Sequence, residues 1–508
     1  MDDTINRVDR PQYGILAILM IGAFISFLNN TLLNIALPSI MIDLEVDTAT
    51  VQWVTTGYML VNGILIPTTA FLIQKYSVRR LFLVAMGLFT IGTIVAGSAH
   101  IFPVLLAGRM LQASGSAIMM PLLMNVMLIS FPVEKRGAAM GIFGLILMFA
   151  PAIGPTLSGW IVEHYDWRML FHFITPIAFV ILLVGFFLLK DKKDKVNIRL
   201  DMLSLMLSSV GFGGLLYGFS SAGSRGWGSP HVYVTIIIGV ISLVTFILRQ
   251  SKLDIPMLNF NVYKYPMFSL ASAITMVLNM AMFSGFLLLP IYIQTIRGIS
   301  PMSAGLMLLP GAVLNALMSP VTGRLFDKYG GRILAVIGLT VITVTTYMFG
   351  NLTFETGVVY IVILHSVRML GMSMVMMPVS TNGLNQLPRS LYPHGTAMNN
   401  TLNQVSAAIG TALLITIMSI RETAAAQRLT EEAMINVTGQ PTEAALAEMQ
   451  QQIMLKAMLE GINFTFIISA ILMGVSLILA LFLKRATPAD EPNEKKSKPV
   501  VPKLAKNN

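Results

Sequence analysis

The chain has 508 residues, is 55% hydrophobic and 11% charged, and carries a net charge of +10. A soluble globular domain carries about 25% charged residues, so this composition excludes one. With no cysteine there is no disulfide framework, thiol chemistry or cysteine-based zinc site. Lys and Arg are spread over many short loops, which excludes a nucleic-acid-binding face.

Apolar runs of about 20 residues, long enough to cross a bilayer as helices, recur from Ile15 to Leu483. In chain order they fall at 14–36, 51–73, 80–99, 103–130, 138–160, 168–189, 201–220, 231–248, 267–292, 303–325, 332–350, 357–380, 396–420 and 462–483. The fold class is therefore an all-α polytopic membrane protein with about 14 spans. The first run is too long for a signal h-region and reads as an uncleaved span.

Alternate loops separate by charge. One set holds Lys75, Arg79 and Arg80; Lys135 and Arg136; Lys190 to Arg199; Arg249, Lys252 and Lys264; and Arg324, Lys328 and Arg332. The other holds Asp43, Glu45, Asp47, Glu163, Asp166, Glu355 and a long acidic segment, 421–460. The first set is expected inside, which places both termini in the cytoplasm of a cell-membrane protein. Within 421–460, Leu446, Met449 and Ile453 stand at helical spacing, but a connector lying on the surface is the simpler reading. The tail, 485–508, is basic and expected to be disordered and solvated, with anionic lipid as its one candidate contact.

An internal repeat follows. TAFLIQKYSVRRL, from Thr69 to Leu81, matches TGRLFDKYGGRIL, from Thr322 to Leu334. Arg109-Met110-Leu111 matches Arg368-Met369-Leu370, and Ala152-Ile153-Gly154 matches Ala408-Ile409-Gly410, in the same order. Spans one to six thus repeat as spans nine to fourteen. The expected organisation is a six-helix bundle over 1–198, two inserted helices over 199–255, a second six-helix bundle over 256–484 containing the outer loop 421–460, and the tail. Repeated bundles with a site between them are transporter architecture.

At these residues the chain resembles the major facilitator superfamily, and within it the fourteen-helix drug:proton antiporter branch. The family's loop pattern G-x-L-x-D-x-x-G-x-R is intact at Gly323, Leu325, Asp327, Gly330 and Arg332; the first-half copy has Ala70, Gln74 and Ser77 in place of the glycines and the acid, and keeps Arg79. R-x-x-Q-G survives as Arg109 and Gln112 with Ala113 for the glycine. "APAIGPTLSGW" carries the span-five antiporter pattern at Pro151, Gly154, Pro155 and Gly159. "LNNTLLNIALP", from Leu28 to Pro38, is similar to L-D-x-T-x-x-N-x-A-L-P, with Asn29 at the acid position.

The resemblance implies a secondary exporter of drug-like amphiphiles working by alternating access, coupled to protons, with no cofactor and no enzymatic activity. Its substrate and proton pathway would run through Asn29, Asn30, Asn34, Arg109, Gln112, His365, Arg368, Asn399 and Asn403. The alternative for the asparagines is hydrogen-bonded helix contact. For Arg109 it is a cation near a span end, and for His365 a structural role. Gly154, Pro155 and Gly159 would form a hinge or seal between the halves, or ordinary helix packing. Asp327 and Arg332 would latch helix ends, or form a solvated ion pair. No carboxylate lies in the middle third of any span; Asp201 sits at the inner end of span seven. Asparagine does not titrate, so protons would ride on His365, Asp201 or an end-of-span acid, and cations would find no deep counter-charge. A lipid or metabolite transporter of the same fold is the second reading. A membrane-embedded enzyme is the third, and an ATP-driven pump lacks its G-x-x-x-x-G-K-[ST] loop. The partners expected are a small amphiphile, protons and membrane lipid; an outer accessory protein is left open.

Overall fold

The computed structural model describes residues 13–46, 48–51, 53–190, 200–436 and 443–486. Every regular element among them is helical. In hydrocarbon a backbone N–H or C=O has no water to turn to, so a spanning chain must satisfy its own backbone. The long helices are α1 Tyr13–Asp43, α2 Trp53–Lys75, α3 Val78–Gly97, α4 Phe102–Ser130, α5 Arg136–His164, α6 Met169–Leu188 and α7 Met202–Arg225. They continue with α8 Pro230–Gln250, α9 Pro266–Ile296, α10 Pro301–Tyr329, α11 Gly331–Phe349, α12 Val358–Asn385, α13 Tyr392–Asn436 and α14 Glu443–Ala480. Thirteen of these meet the length and hydropathy of a crossing among the described residues. The remaining one, α5, is a 29-residue helix with no charged residue between Gly137 and Val162, which makes fourteen. The protein is a multi-pass membrane protein.

Three spans are irregular, each beside a proline. α2 tightens into a 3-10 turn at Ile66–Thr68, around Pro67. α9 widens into π-helical turns at Ser284–Leu288 and Tyr292–Ile296, on either side of Pro290. α12 breaks after Ser373 and restarts at Met376, with Pro378 in the new first turn, where its missing N–H costs nothing. π-turns and broken spans collect where a helix lines a working site.

The largest apolar core is centred in the first half, α1 to α6, around Leu19, Phe82, Phe89, Leu122 and Phe171, and runs on to Phe268, Leu384 and Tyr392 of the second. The second half has two, one around Ile274, Leu339 and Met473 and one around Tyr292, Phe349 and Phe466. The inserted pair, α7 and α8, touches both. Trp53 of α2 stacks on Tyr217 at 5.8 Å, and Trp227 Nε1 donates to Thr416 Oγ1 of α13 at 2.6 Å. On α8, Ile237, Ile241, Val244 and Leu248 are exposed, as a lipid-facing helix requires.

Segment 421–460, read above as a surface connector, instead extends α13 to Asn436 and opens α14 at Glu443. The two extensions are clasped by Arg428, which pairs with Glu432 and Glu460 at 3.0 and 2.6 Å. The start of the tail is also ordered: Arg485 donates to the Asp327 carbonyl at 2.7 Å, and the Ala486 N–H donates to Asn382 Oδ1 at 3.1 Å. The rest of the tail, 487–508, lies outside the described residues.

Close helix contact rests on glycine. A Cβ on Gly92 of α3 would stand 2.5 Å from the Gln112 nitrogen and 2.6 Å from the Gly108 oxygen of α4. A Cβ on Gly87, in the same helix, would meet nothing within 4 Å. Gly92→Ala should cost about 1–3 kcal/mol by overpacking and lower the melting temperature of the purified protein by several degrees. Gly87→Ala should leave it unchanged or raise it.

Candidate functional site

Arg109 is fully buried on α4 and held from every side. Its Nη1 donates to Gln112 Oε1 at 2.9 Å, Nη2 to Asn30 Oδ1 at 3.3 Å and Nε to the Val54 carbonyl at 3.4 Å. Its guanidinium lies 4.2 Å from the ring centre of Tyr58. Asn29 Nδ2 donates to the same Gln112 oxygen at 3.2 Å, and Gln112 Nε2 donates to Thr93 Oγ1 at 2.8 Å. Four helices of the first half thus close a polar knot around one cation. The two asparagines and the cation share one hydrogen-bonded cluster, and the backbone carbonyl of Val54 is among the partners of Arg109. Tyr58 and Thr93, which were not singled out above, complete it; an aromatic and a threonine in an apolar run carry no signal of their own.

In the second half, α12 places Arg368 and His365 on one face, three residues apart. Arg368 is 2% exposed and His365 5%. Arg368 Nη1 and His365 Nδ1 have no hydrogen-bond partner. Gly285, in the π-turn of α9, leaves the room that the Arg368 guanidinium fills, and Gly311 of α10 does the same for the His365 ring. Asn399 and Asn403 are tied within this half: Asn399 Nδ2 donates to Ser380 Oγ at 2.9 Å, and Asn403 Oδ1 accepts from Asn279 Nδ2 at 2.9 Å. Both act here as helix-to-helix contacts.

One meeting of the halves lies at the end that carries the basic loops. Asp327, on the last turn of α10, accepts from the Gly137 N–H at 2.7 Å and the Ala138 N–H at 2.8 Å. These are the first free N–H groups of α5, where a helix favours an anion. A Cβ on Gly141 would stand 2.5 Å from the Ser319 carbonyl, so α5 and α10 touch backbone to backbone. Gly330, at φ +82°, ends α10 in a conformation that favours glycine. Arg332 is exposed and forms no ion pair among the described residues, so the partner of Asp327 is a helix terminus and not Arg332.

The first-half copy of this loop works differently. Gln74 lies 3.0 Å from His394 Nε2 at the start of α13, and the Asn259 N–H donates to His394 Nδ1 at 3.1 Å. Arg79 stays within its half, donating to the Phe186 carbonyl at 3.1 Å. Arg136, seen in the sequence only as loop charge, is 3% exposed and bridges the halves. It donates to Asn385 Oδ1 at 3.0 Å and the Leu128 carbonyl at 2.6 Å, and lies over Tyr392 at 4.9 Å.

The antiporter glycines divide. Gly154 abuts Thr31 of α1, inside its own half, while a Cβ on Gly159 would stand 4.0 Å from Met302 Sδ of α10. Asn34, Pro151 and Pro155 lie in helical backbone, but their side chains fall outside the described ones.

Asp201 is not a free acid. Arg249 pairs with it at 2.6 Å and Ser204 Oγ donates to it at 2.6 Å, which lowers its pKa to about 2. The Arg249 pair favours its ionised form, so it is a poor proton carrier near neutrality. Among the described residues no Asp or Glu side chain is buried, against three buried arginines: Arg109, Arg136 and Arg368.

The Major Facilitator Superfamily profile matches residues 19–411. The chain belongs to the major facilitator superfamily. It is 47% identical over 492 residues to the uncharacterized MFS-type transporter YcnB of Bacillus subtilis, covering 97% of this chain and 99% of that protein. It is 43% identical over 479 residues to the lincomycin resistance protein LmrB of the same organism, covering 93% and 97%. The structure of the human organic anion transporter MFSD10 superposes with a TM-score of 0.65 at 13% identity, covering 93% of this chain and 100% of that one, a likeness of fold. This transporter therefore has the two-bundle architecture that the repeat implied.

Two outcomes follow. Asp327→Asn weakens two charge-assisted bonds at a helix terminus, about 1–3 kcal/mol. Each 1.4 kcal/mol is tenfold in an equilibrium. A single cysteine placed by Ser319→Cys, in this cysteine-free chain, should therefore react with maleimide about tenfold faster once Asp327→Asn is added. Asp201→Asn should leave the midpoint of the transport pH profile, between pH 5 and 9, where it is.

Proposed function

We propose that this chain exports drug-like amphiphiles across the cell membrane by alternating access, driven by protons. The single observation carrying this reading is the join between two repeated bundles at the end that carries the basic loops. One end is sealed by α5 against α10, with Asp327 on the α5 N-terminus, and each half holds a buried polar cluster above that seal. A seal made of backbone contact and one carboxylate exists in only one arrangement of the halves, which is what a rocking transporter needs. By the positive-inside rule the sealed end and both termini face the cytoplasm, so this arrangement is the one turned outward.

Family membership supports a small substrate, and the relatives' resistance names support an amphiphilic drug. Proton coupling is assigned to histidine. The buried imidazoles among the described residues are His365 beside Arg368 and His394 at the seal, and imidazole is the side chain whose ordinary titration lies nearest neutral pH. The Asp43–Arg168 pair at 2.8 Å holds its acid below the usual carboxylate range and serves to tie loop ends together.

The test is substrate-driven proton movement in proteoliposomes, with internal pH read by a dye. Cationic, neutral and anionic amphiphiles should be offered in turn. Proton flux with at least one of them is expected, lost with His365→Gln. Substrate uptake without any proton flux would contradict the coupling and favour a lipid or metabolite carrier of the same fold.

A further inference from the structure

The two halves answer the same buried charge in opposite ways. Three residues after Arg109 stands Gln112; three after Arg368 stands Gly371. Eleven residues before Thr69 stands Tyr58; eleven before its repeat partner Thr322 stands Gly311. Twelve residues after Leu81 stands Thr93; twelve after its partner Leu334 stands Thr346. In the first half Gln112 and Tyr58 meet Arg109 directly, beside Asn30 and the Val54 carbonyl, and Thr93 holds Gln112. In the second half Gln and Tyr have become glycine, and the retained Thr346 is buried with its hydroxyl unpartnered. Among the described residues Arg368 Nη1 has no hydrogen-bond acceptor, and no carboxylate is buried.

A guanidinium in a low-dielectric interior is costly without an acceptor, and far less so against an anion that takes a bidentate pair. The first-half knot shows that this fold can supply neutral partners for such a cation; the second half keeps the cation and omits them. We propose that Arg368, with His365 beside it, is the binding site for the anionic head group of an amphiphile: a carboxylate, sulfonate or phosphate monoester. This rests on the exporter reading and names its substrate class. The planar fork of Arg368 fits two oxygens of such a group. Gly285 and Gly311 keep the facing helices thin at that point. The same chemistry could be offered by a transported amphiphile or by the head group of a resident anionic lipid.

The probes are N-dansyl-11-aminoundecanoate and its neutral N-methyl amide, which differ only in the head group. Binding is read by dansyl fluorescence, and transport in phosphatidylcholine liposomes. Wild type should bind and move the carboxylate. Arg368→Met should weaken carboxylate binding about 10- to 100-fold, the loss of one charge-assisted pair, and change amide binding less than about threefold. Arg368→Lys, which keeps the charge but loses the fork, should fall between. Ligand-free Arg368→Met should melt no lower than wild type, because an unanswered charge has been removed. Equal losses for both probes, or a lower melting temperature with unchanged carboxylate binding, would overturn the assignment. If phosphatidylglycerol displaces the carboxylate and the carboxylate is not moved, a resident lipid is the occupant and the substrate assignment falls. Should wild type move neither probe nor any other amphiphile, the exporter reading itself fails; amide transport with no preference for the carboxylate would sink only the present proposal.

Discussion

A charge buried away from water must be answered by something, and three buried arginines organise this protein. Arg136 is answered by backbone carbonyls and Asn385, and so helps close one end of the bundle. Arg109 is answered by side chains from its own half, and so holds α1, α2 and α4 in one geometry. Arg368 meets no hydrogen-bond acceptor at Nη1 among the described residues. The absence of any buried carboxylate among the described residues makes each of these solutions specific. One ion pair in the wrong place would quench the site that a ligand must occupy.

The same constraint acts on the join between the halves. Helix termini carry N–H groups with no partner of their own, and at α5 they are answered across the interface by Asp327. The glycines of α5 let α10 come close enough for that bond to form. Because the acceptor belongs to one half and the donors to the other, the contact is made or broken as a unit. The first-half equivalent, Gln74 against His394, is uncharged on the Gln74 side. The two loop contacts therefore differ in chemistry and in what could disturb them.

Much of this was legible in the sequence. The lipid demands about 20 apolar residues per crossing, so fourteen runs announced fourteen helices. The repeat markers at Thr69 and Thr322, and at Arg109 and Arg368, paired the halves. Arg109 stood out because charge in a span is expensive. Tertiary proximity was not legible. Nothing around Gly137 says that Asp327, 190 residues later, will cap its helix. Arg136 read as loop charge because burial is a property of what surrounds a residue. The proline-linked breaks in α9 and α12 left only Pro290 and Pro378 as local signs. The reading of 421–460 as a surface connector missed that charged residues can extend a helix beyond the membrane when the neighbouring helix supplies partners, as Glu460 does for Arg428.

The central claim is that the two halves exchange one sealed end for the other. The absence of native cysteine allows spin-label pairs at both ends of the bundle. One pair, Lys135→Cys with Lys328→Cys, spans the sealed end; the other, His164→Cys with Glu355→Cys, spans the opposite end, and all four positions are exposed. Distances should be measured with and without a transported amphiphile, at neutral and at acid pH. The account predicts that a longer distance appears at the sealed end as a shorter one appears opposite. Fixed distances at both ends, under conditions where the amphiphile is moved, would contradict it.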